Sequence, residues 1–213
     1  MGTVPHIILA SQSPRRRELL ALMGLPFEVL KAQIDEDTAP FTDPKTYVLA
    51  MARGKAELAL DTLKKEGRGL ESHELLLSSD TAIAIDDEIL GKPVDFADFK
   101  AMMARLSGRT HIVYSAIALY GIEDDQDGTI RSSIKLSENH VTFMTLPDGF
   151  AEYYWETGEP QDKAGGYAIQ GLMAPMIEKI EGSFHAIMGL PLYELREALA
   201  ELGYNYPIQI AKN

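Results

Sequence analysis

The chain has 213 residues, with 20 basic and 32 acidic side chains and a formal charge of −12. A surface of that sign repels nucleic acid and anionic lipid, so any anion must be caught at a local positive focus. Cysteine is absent, which excludes disulfides, thiolate metal sites and a cysteine nucleophile.

Taken in chain order, the apolar run HIILA (6–10) is predicted as a buried strand. SQSPRRRELL then opens a helix, with Ser13 suited to the N-cap and Pro14 to the first helical position. Leu19, Leu20 and Met23 form its apolar stripe, and Gly24 and Pro26 end it. Arg15, Arg16 and Arg17 stand at the wrong end. A helix N-terminus is already partly positive, and a cation there is disfavoured by roughly 0.3–1 kcal/mol. Three in a row point to a bound anion. FEVLKA (27–32) is a second strand, and QIDEDTAP is a polar loop. Its acidic cluster Asp35, Glu36 and Asp37 is either a solvated loop or a source of a ligand for a hard divalent cation.

Residues 44–65 are predicted as a helix with Val48, Met51, Ala52, Ala59 and Leu63 on one face. Lys55 shares that stripe. It either snorkels at the stripe's edge or is aimed inward at an anion. LLLSSDTAIAI (75–85) is a strand run with Asp80 inside it. A buried carboxylate must be paired, bound to a cation or at an open edge; otherwise SSDT is a turn between two short strands. DDEILGKP gives a turn, a short return strand and Lys92. DFADFKAMMARLSG is a helix capped by Asp95 and closed by Gly108. THIVYSAIALYG and IRSSIKLSENHVTFMTL are long partner strands joined by the acidic turn EDDQDG. A short helix (DGFAEYYWETG), two near-strands (GYAIQG and MIEKIEG) and a C-terminal helix (LPLYELREALAELG) complete the chain. Lys163 lies in the Gly-rich stretch before the first near-strand, next to Asp162.

This order implies one α/β or mixed α+β unit over 1–213, with a mixed sheet and two lobes around a cleft. No run approaches the ~20 apolar residues of a membrane span. The N-terminus lacks a basic region and a long enough apolar run for a secretory signal, so a soluble cytoplasmic protein is expected. There is no G-x-x-x-x-G-K-[ST] loop and no G-x-S-x-G elbow, and His6, His73, His111, His140 and His185 lack metal-ligand spacing. What remains is lysines and arginines in loops and at helix ends, together with carboxylates. That set suits metal-assisted phosphoryl chemistry, in which cations clamp phosphate oxygens and a carboxylate holds metal or activates water.

Longer motifs narrow the reading. LASQSPRRRELL, ARGKA around Lys55, SSDTAIAIDDEILGKP around Asp80, LSGRTHIVYSAIAL, TGEPQDKAGGYAIQG and EGSFHAIMGLPLYEL occur in the order found in the Maf family. The chain resembles that family over nearly its whole length. The resemblance implies a Maf/ITPase-like fold, with an elongated mixed sheet flanked by helices. It implies hydrolysis of a nucleoside triphosphate to monophosphate and pyrophosphate, a divalent cation (Mg²⁺ or Mn²⁺) and a homodimer. Neither a specific nucleic-acid partner nor a membrane partner is expected.

Position by position, the resemblance makes Asp80 the carboxylate that activates water. Ser13, Arg15, Arg16, Lys55, Lys92 and Lys163 become phosphate- and substrate-cleft residues. Glu36 matches an acidic cleft position, assigned here with Asp80 as a metal ligand. Arg15, Thr81 and Gln170 match the branch acting on dTTP and UTP, with modified pyrimidine triphosphates as further candidates; the 7-methyl-GTP branch tends to have Trp, Gln and Glu there. Gln170 can both donate and accept, which suits the amide edge of uracil or thymine. Arg16 is then a phosphate clamp and Arg17 a solvated neighbour. Two departures are visible. Gly166-Tyr167-Ala168 stands where Ala-Tyr-Gly is common, and Ser78 replaces a common Gly. The family's link to septum formation supplies a second reading, a nucleotide-binding regulator of cell division in which hydrolysis is incidental.

Overall fold

Strand β1 (His6–Leu9) leads into helix α1 (Pro14–Ala21) and the short strand β2 (Phe27–Val29) in the computed structural model, which describes residues 4–30, 43–123 and 129–206. Helix α2 (Pro44–Lys65) follows, then β3 (Glu74–Ile85), β4 (Glu88–Leu90) and α3 (Phe96–Leu106). Next come β5 (Thr110–Ile122), β6 (Ile130–Phe143), α4 (Phe150–Glu156), β7 (Ile177–Glu181), α5 (Phe184–Met188) and α6 (Leu192–Glu201). The strands form one mixed sheet in the order β2-β1-β3-β5-β6-β7, with β4 paired to β3. β1 runs parallel to β2 and β3, and the other pairs are antiparallel.

The long strand β3 organises the core because its side chains alternate between faces. Leu76, Ala82 and Ala84 pack with Val48, Ala52, Ala56 and Ala59 of α2 on one face. The small alanines let that helix lie close. On the other face, Leu75 and Leu77 join a cluster with Leu19, Leu20 and Leu195, under α1 and α6. Further along the same face, Ile83 and Ile85 join Phe99, Phe143 and Tyr154 of the second lobe. One side of the sheet thus carries a continuous helix and the other carries two separate cores. Ser79 lies between those cores on the second face.

Most elements fall where the sequence places them. LLLSSDTAIAI is a strand as expected, not two strands with a turn at SSDT; β3 runs through it unbroken, and β5 pairs with it from Leu76 to Ala84. Three features differ. GYAIQG is not a strand. Gly165 and Gly166 turn the chain at φ 63° and 69°, and a Cβ on Gly166 would lie 2.8 Å from the Phe99 ring. The glycines therefore let irregular backbone press directly on the second core, and Tyr167, Ala168 and Ile169 are buried without strand pairing. The five-residue α5 was not anticipated. Ser13 occupies the N-cap position of α1, but its side chain makes no capping bond. Elsewhere Asp43 and Asp95 do cap, accepting from Thr46 N and Asp98 N. No helix among the described residues is long and apolar enough to cross a membrane.

Candidate active site

The cleft begins as a gap in the sheet. β1 stops at Leu9, and the Ala10 N–H donates to the Leu77 carbonyl at 2.8 Å. β4 takes up the same edge of β3 only from Ile83. Between them, Ser78–Ala82 have no strand partner on that edge among the described residues. A cavity of about 650 Å³ opens there. Its walls are the Ala10–Arg16 turn with the start of α1, α2 at Lys55, the β4 loop at Lys92, the Asp162–Gln170 segment and the Ile187–Gly189 turn. Every expected site residue within the described residues lines it: Ser13, Arg15, Arg16, Lys55, Asp80, Thr81, Lys92, Lys163 and Gln170. Glu36 lies outside the described residues. Arg17 is exposed and does not line the cavity.

Asp80 and Lys55 meet in the cleft. Lys55 Nζ donates to Asp80 Oδ1 at 2.7 Å, and the two side chains are only 9% and 11% exposed. Lys55 is therefore inward-facing rather than snorkelling, and Asp80 is both paired and at an open edge. Ser78 ties the same region down, its Oγ donating to the Ala52 carbonyl of α2 at 2.5 Å. The hydroxyl at this departure from the family pattern thus locks β3 to α2 one turn before Lys55.

Around this pair the described lining carries five cations (Arg15, Arg16, Lys55, Lys92 and Lys163) and two carboxylates (Asp80 and Asp162). On a chain of charge −12 this is the local positive focus that an anion needs. The N-terminus of α1 adds its dipole and amide groups. Arg16 is held by its own bonds, Nε to the Gly189 carbonyl at 2.9 Å and Nη1 to Ser11 Oγ at 3.2 Å. Lys92 is exposed. Lys163 donates to Asp162 Oδ1 and to the Glu159 carbonyl, both at 2.6 Å. That bond, with a smaller pull from Arg15, holds the Asp162 carboxyl below its ordinary range.

Sequence reasoning missed the supports behind these groups. Glu159 accepts from Leu172 N at 3.0 Å and from the Tyr154 hydroxyl at 2.6 Å, and that hydroxyl accepts from Ala168 N at 3.2 Å. The backbone on either side of Gln170 is thereby clamped to Glu159 and the buried Tyr154. Burial, and then the Glu159 bond, pushes the Tyr154 phenol well above its ordinary value and keeps it a donor. Gly171 makes room for that carboxylate, since a Cβ there would lie 2.2 Å from Glu159 Oε1 and displace it. Behind the cleft, His111 Nε2 meets the Tyr167 hydroxyl at 2.7 Å, and burial pushes the His111 pKa down to about 3. Only the Glu in TGEP and the Gly after Gln170 hinted at any of this.

A family model described as Maf-like protein matches residues 6–202. The chain belongs to the Maf family. A dTTP/UTP pyrophosphatase from Pseudoalteromonas atlantica is 41% identical over 92% of this chain and 96% of its own. A dTTP/UTP pyrophosphatase from Alkalilimnicola ehrlichii is 42% identical over 95% of each chain. A solved Ham1 protein from Staphylococcus aureus is 12% identical, with a TM-score of 0.42 over 65% of this chain and 71% of that one.

This Maf chain has another group that could surround a cation: His6, Glu28 and Glu74, whose ligand atoms lie within 4.8 Å of one another. Arg68 already serves both carboxylates, at 2.7 Å to Glu28 and 2.5 Å to Glu74. The group sits at the start of β1 and β3, six residues along the strand from Asp80, roughly 20 Å at ~3.3 Å per residue. It is too far to act on a phosphate held at Asp80. A hard cation also fits the cleft itself. Mg²⁺ typically takes one or two carboxylates and leaves its remaining positions to water and substrate phosphates, and Asp80 supplies such a carboxylate beside the cationic walls.

Proposed function

We propose that this protein hydrolyses dTTP and UTP to the monophosphate and pyrophosphate, in one unit spanning 1–213. The observation that carries the reading is the Asp80–Lys55 pair, buried in a cationic cleft at a break in the sheet edge. The names of its 41–42% identical relatives supply the substrate class. Modified pyrimidine triphosphates belong to the same class.

Asp80 orients the attacking water and takes its proton, with Lys55 fixing the carboxylate's position. Arg16, Lys92, Lys163 and the α1 amide groups at Ser13 offset charge on the triphosphate and on the leaving pyrophosphate. Lys163 has a third N–H to give to a phosphate oxygen beside its bonds to Asp162 and Glu159. Arg15, Thr81 and Gln170 read the base. Mg²⁺ or Mn²⁺, held by Asp80 and Glu36, would supply charge neutralisation on the phosphate oxygens. By family resemblance the protein works as a cytoplasmic homodimer, which sedimentation and cell fractionation would check.

A substrate panel tests the reading. Purified protein with Mg²⁺ or Mn²⁺ should release pyrophosphate from dTTP and UTP and much less from ATP and GTP. Equal rates on all would overturn the pyrimidine assignment, and no release from any would overturn the enzyme.

A further inference from the structure

A hydroxyl and a carbonyl behind the cleft determine the direction of a second hydroxyl. Thr81 on β3 stands opposite Ser115 on β5 in the sheet register. Their oxygens are 2.9 Å apart, a contact in which either could donate. Ser115 is fully buried, and its Oγ is also 2.6 Å from the Ala186 carbonyl of α5. A carbonyl has no proton to give, and a serine hydroxyl has one. Ser115 therefore donates to Ala186, and its bond with Thr81 requires Thr81 to be the donor. The Thr81 proton is spent inside the protein, so Thr81 Oγ1 turns only lone pairs toward the cleft that it lines. Two positions along, on the same face of β3, Ile83 gives that wall an apolar surface suited to the flat side of a base.

We infer that Ser115 is a positioning residue for base selection: by holding the Thr81 hydroxyl as an acceptor only, it favours uracil and thymine over cytosine. The inference rests on the proposal that Thr81 and Gln170 meet the base. Uracil and thymine carry an N3–H donor, which an acceptor-only hydroxyl satisfies. Cytosine carries a lone pair at N3, so oxygen and nitrogen would face each other with no proton between them. Sites that leave a buried polar group unpaired against the wrong ligand discriminate strongly. Gln170 can donate to the O4 keto group and adds to the preference, but a terminal amide can flip and present its oxygen instead. The Thr81–Ser115–Ala186 chain cannot reverse, because it ends on a carbonyl.

The test is kcat/KM for UTP and for CTP in wild type, Ser115→Ala, Thr81→Val and Thr81→Ser, with melting temperature measured on each. Ser115→Ala frees the Thr81 hydroxyl to rotate and donate. The UTP:CTP ratio should fall at least tenfold, chiefly by a gain on CTP. Thr81→Val should lower the ratio by a loss on UTP, and Thr81→Ser, which keeps the hydroxyl, should preserve it. A folded Ser115→Ala protein with the wild-type ratio overturns the inference. Should that variant not fold, an unchanged ratio in Thr81→Val overturns it equally. Wild type acting alike on UTP and CTP overturns it too, whereas wild type acting alike on UTP and GTP is a separate result, because it removes the pyrimidine reading itself.

Discussion

Replacing Asp80 by Asn separates the chemistry of the site from its architecture. The side chain keeps its shape and an oxygen that can accept from Lys55, but the charge is gone. Lys55, with 9% of its side chain exposed, then loses the Asp80 charge beside it. Removing one member of a buried pair typically costs ~3–5 kcal/mol. The retained acceptor and the open cleft put Asp80→Asn near the lower end, at about 3 kcal/mol. For a chain of this size, 1 kcal/mol corresponds to ~2–4 °C, so the melting temperature should drop by about 6–12 °C. Lys55→Met combined with Asp80→Asn removes the ammonium as well. Buried pairs replaced by uncharged groups are often neutral in stability, so the double variant should recover to within about 1 kcal/mol of wild type. Both proteins should lose at least ~100-fold in UTP turnover, the lower range for a missing general base. Calorimetric melting and single-substrate kinetics read the two effects apart. Near-wild-type turnover in Asp80→Asn would refute its role in the chemistry. A double variant no more stable than Asp80→Asn alone would refute the coupling.

Other consequences can be checked separately. Arg16→Ala should lower turnover on every substrate, Arg15→Ala should mainly change the ranking among bases, and exposed Arg17→Ala should leave both within a factor of two or so, as is usual for surface substitutions; Arg17→Ala as the most damaging of the three would overturn this division. Gly171→Ala should displace the Glu159 carboxylate, which its Cβ meets at 2.2 Å, and so loosen the clamp on the Gln170 backbone. It should blur the preference for UTP over GTP more than it lowers stability, and so should Tyr154→Phe, which breaks the clamp from the other side. His111 is neutral in the fold down to about pH 3, whereas the unfolded residue protonates below about pH 6.5. Its contribution is therefore complete above pH 6.5 and lost progressively as pH falls toward 3, by up to ~1.4 kcal/mol per unit. Unfolding free energies from urea titrations should fall from pH 7 to pH 5 by about 2 kcal/mol more in wild type than in His111→Gln, and parallel curves would contradict that.

The residues that break local rules were the readable ones. Lys55 on an apolar stripe and Asp80 in an apolar strand stood out because each costs free energy in isolation, and the structure explains them by pairing one with the other. The arginines against the α1 dipole marked the cleft mouth for the same reason. Neutral partners gave no such signal. Ser115, Ser79 and Ala186 are unremarkable in sequence, and their bonds join residues 71 and 110 positions apart. The GYAIQG segment was misread because its apolar residues are buried by irregular backbone, with Gly165 and Gly166 at positive φ bending it away from the sheet. Helix α5 was too short to show a period, although its cap, Ser183 accepting from Ala186 N, is an ordinary one.

The central claim is that water, oriented by Asp80, attacks the α-phosphorus and pyrophosphate leaves. Hydrolysis of UTP in ¹⁸O-labelled water, with mass analysis of the products, tests it directly. The account requires one labelled oxygen in UMP and none in pyrophosphate, with formation of both lost in Asp80→Asn. Label in pyrophosphate, or release of UDP and inorganic phosphate, would contradict it.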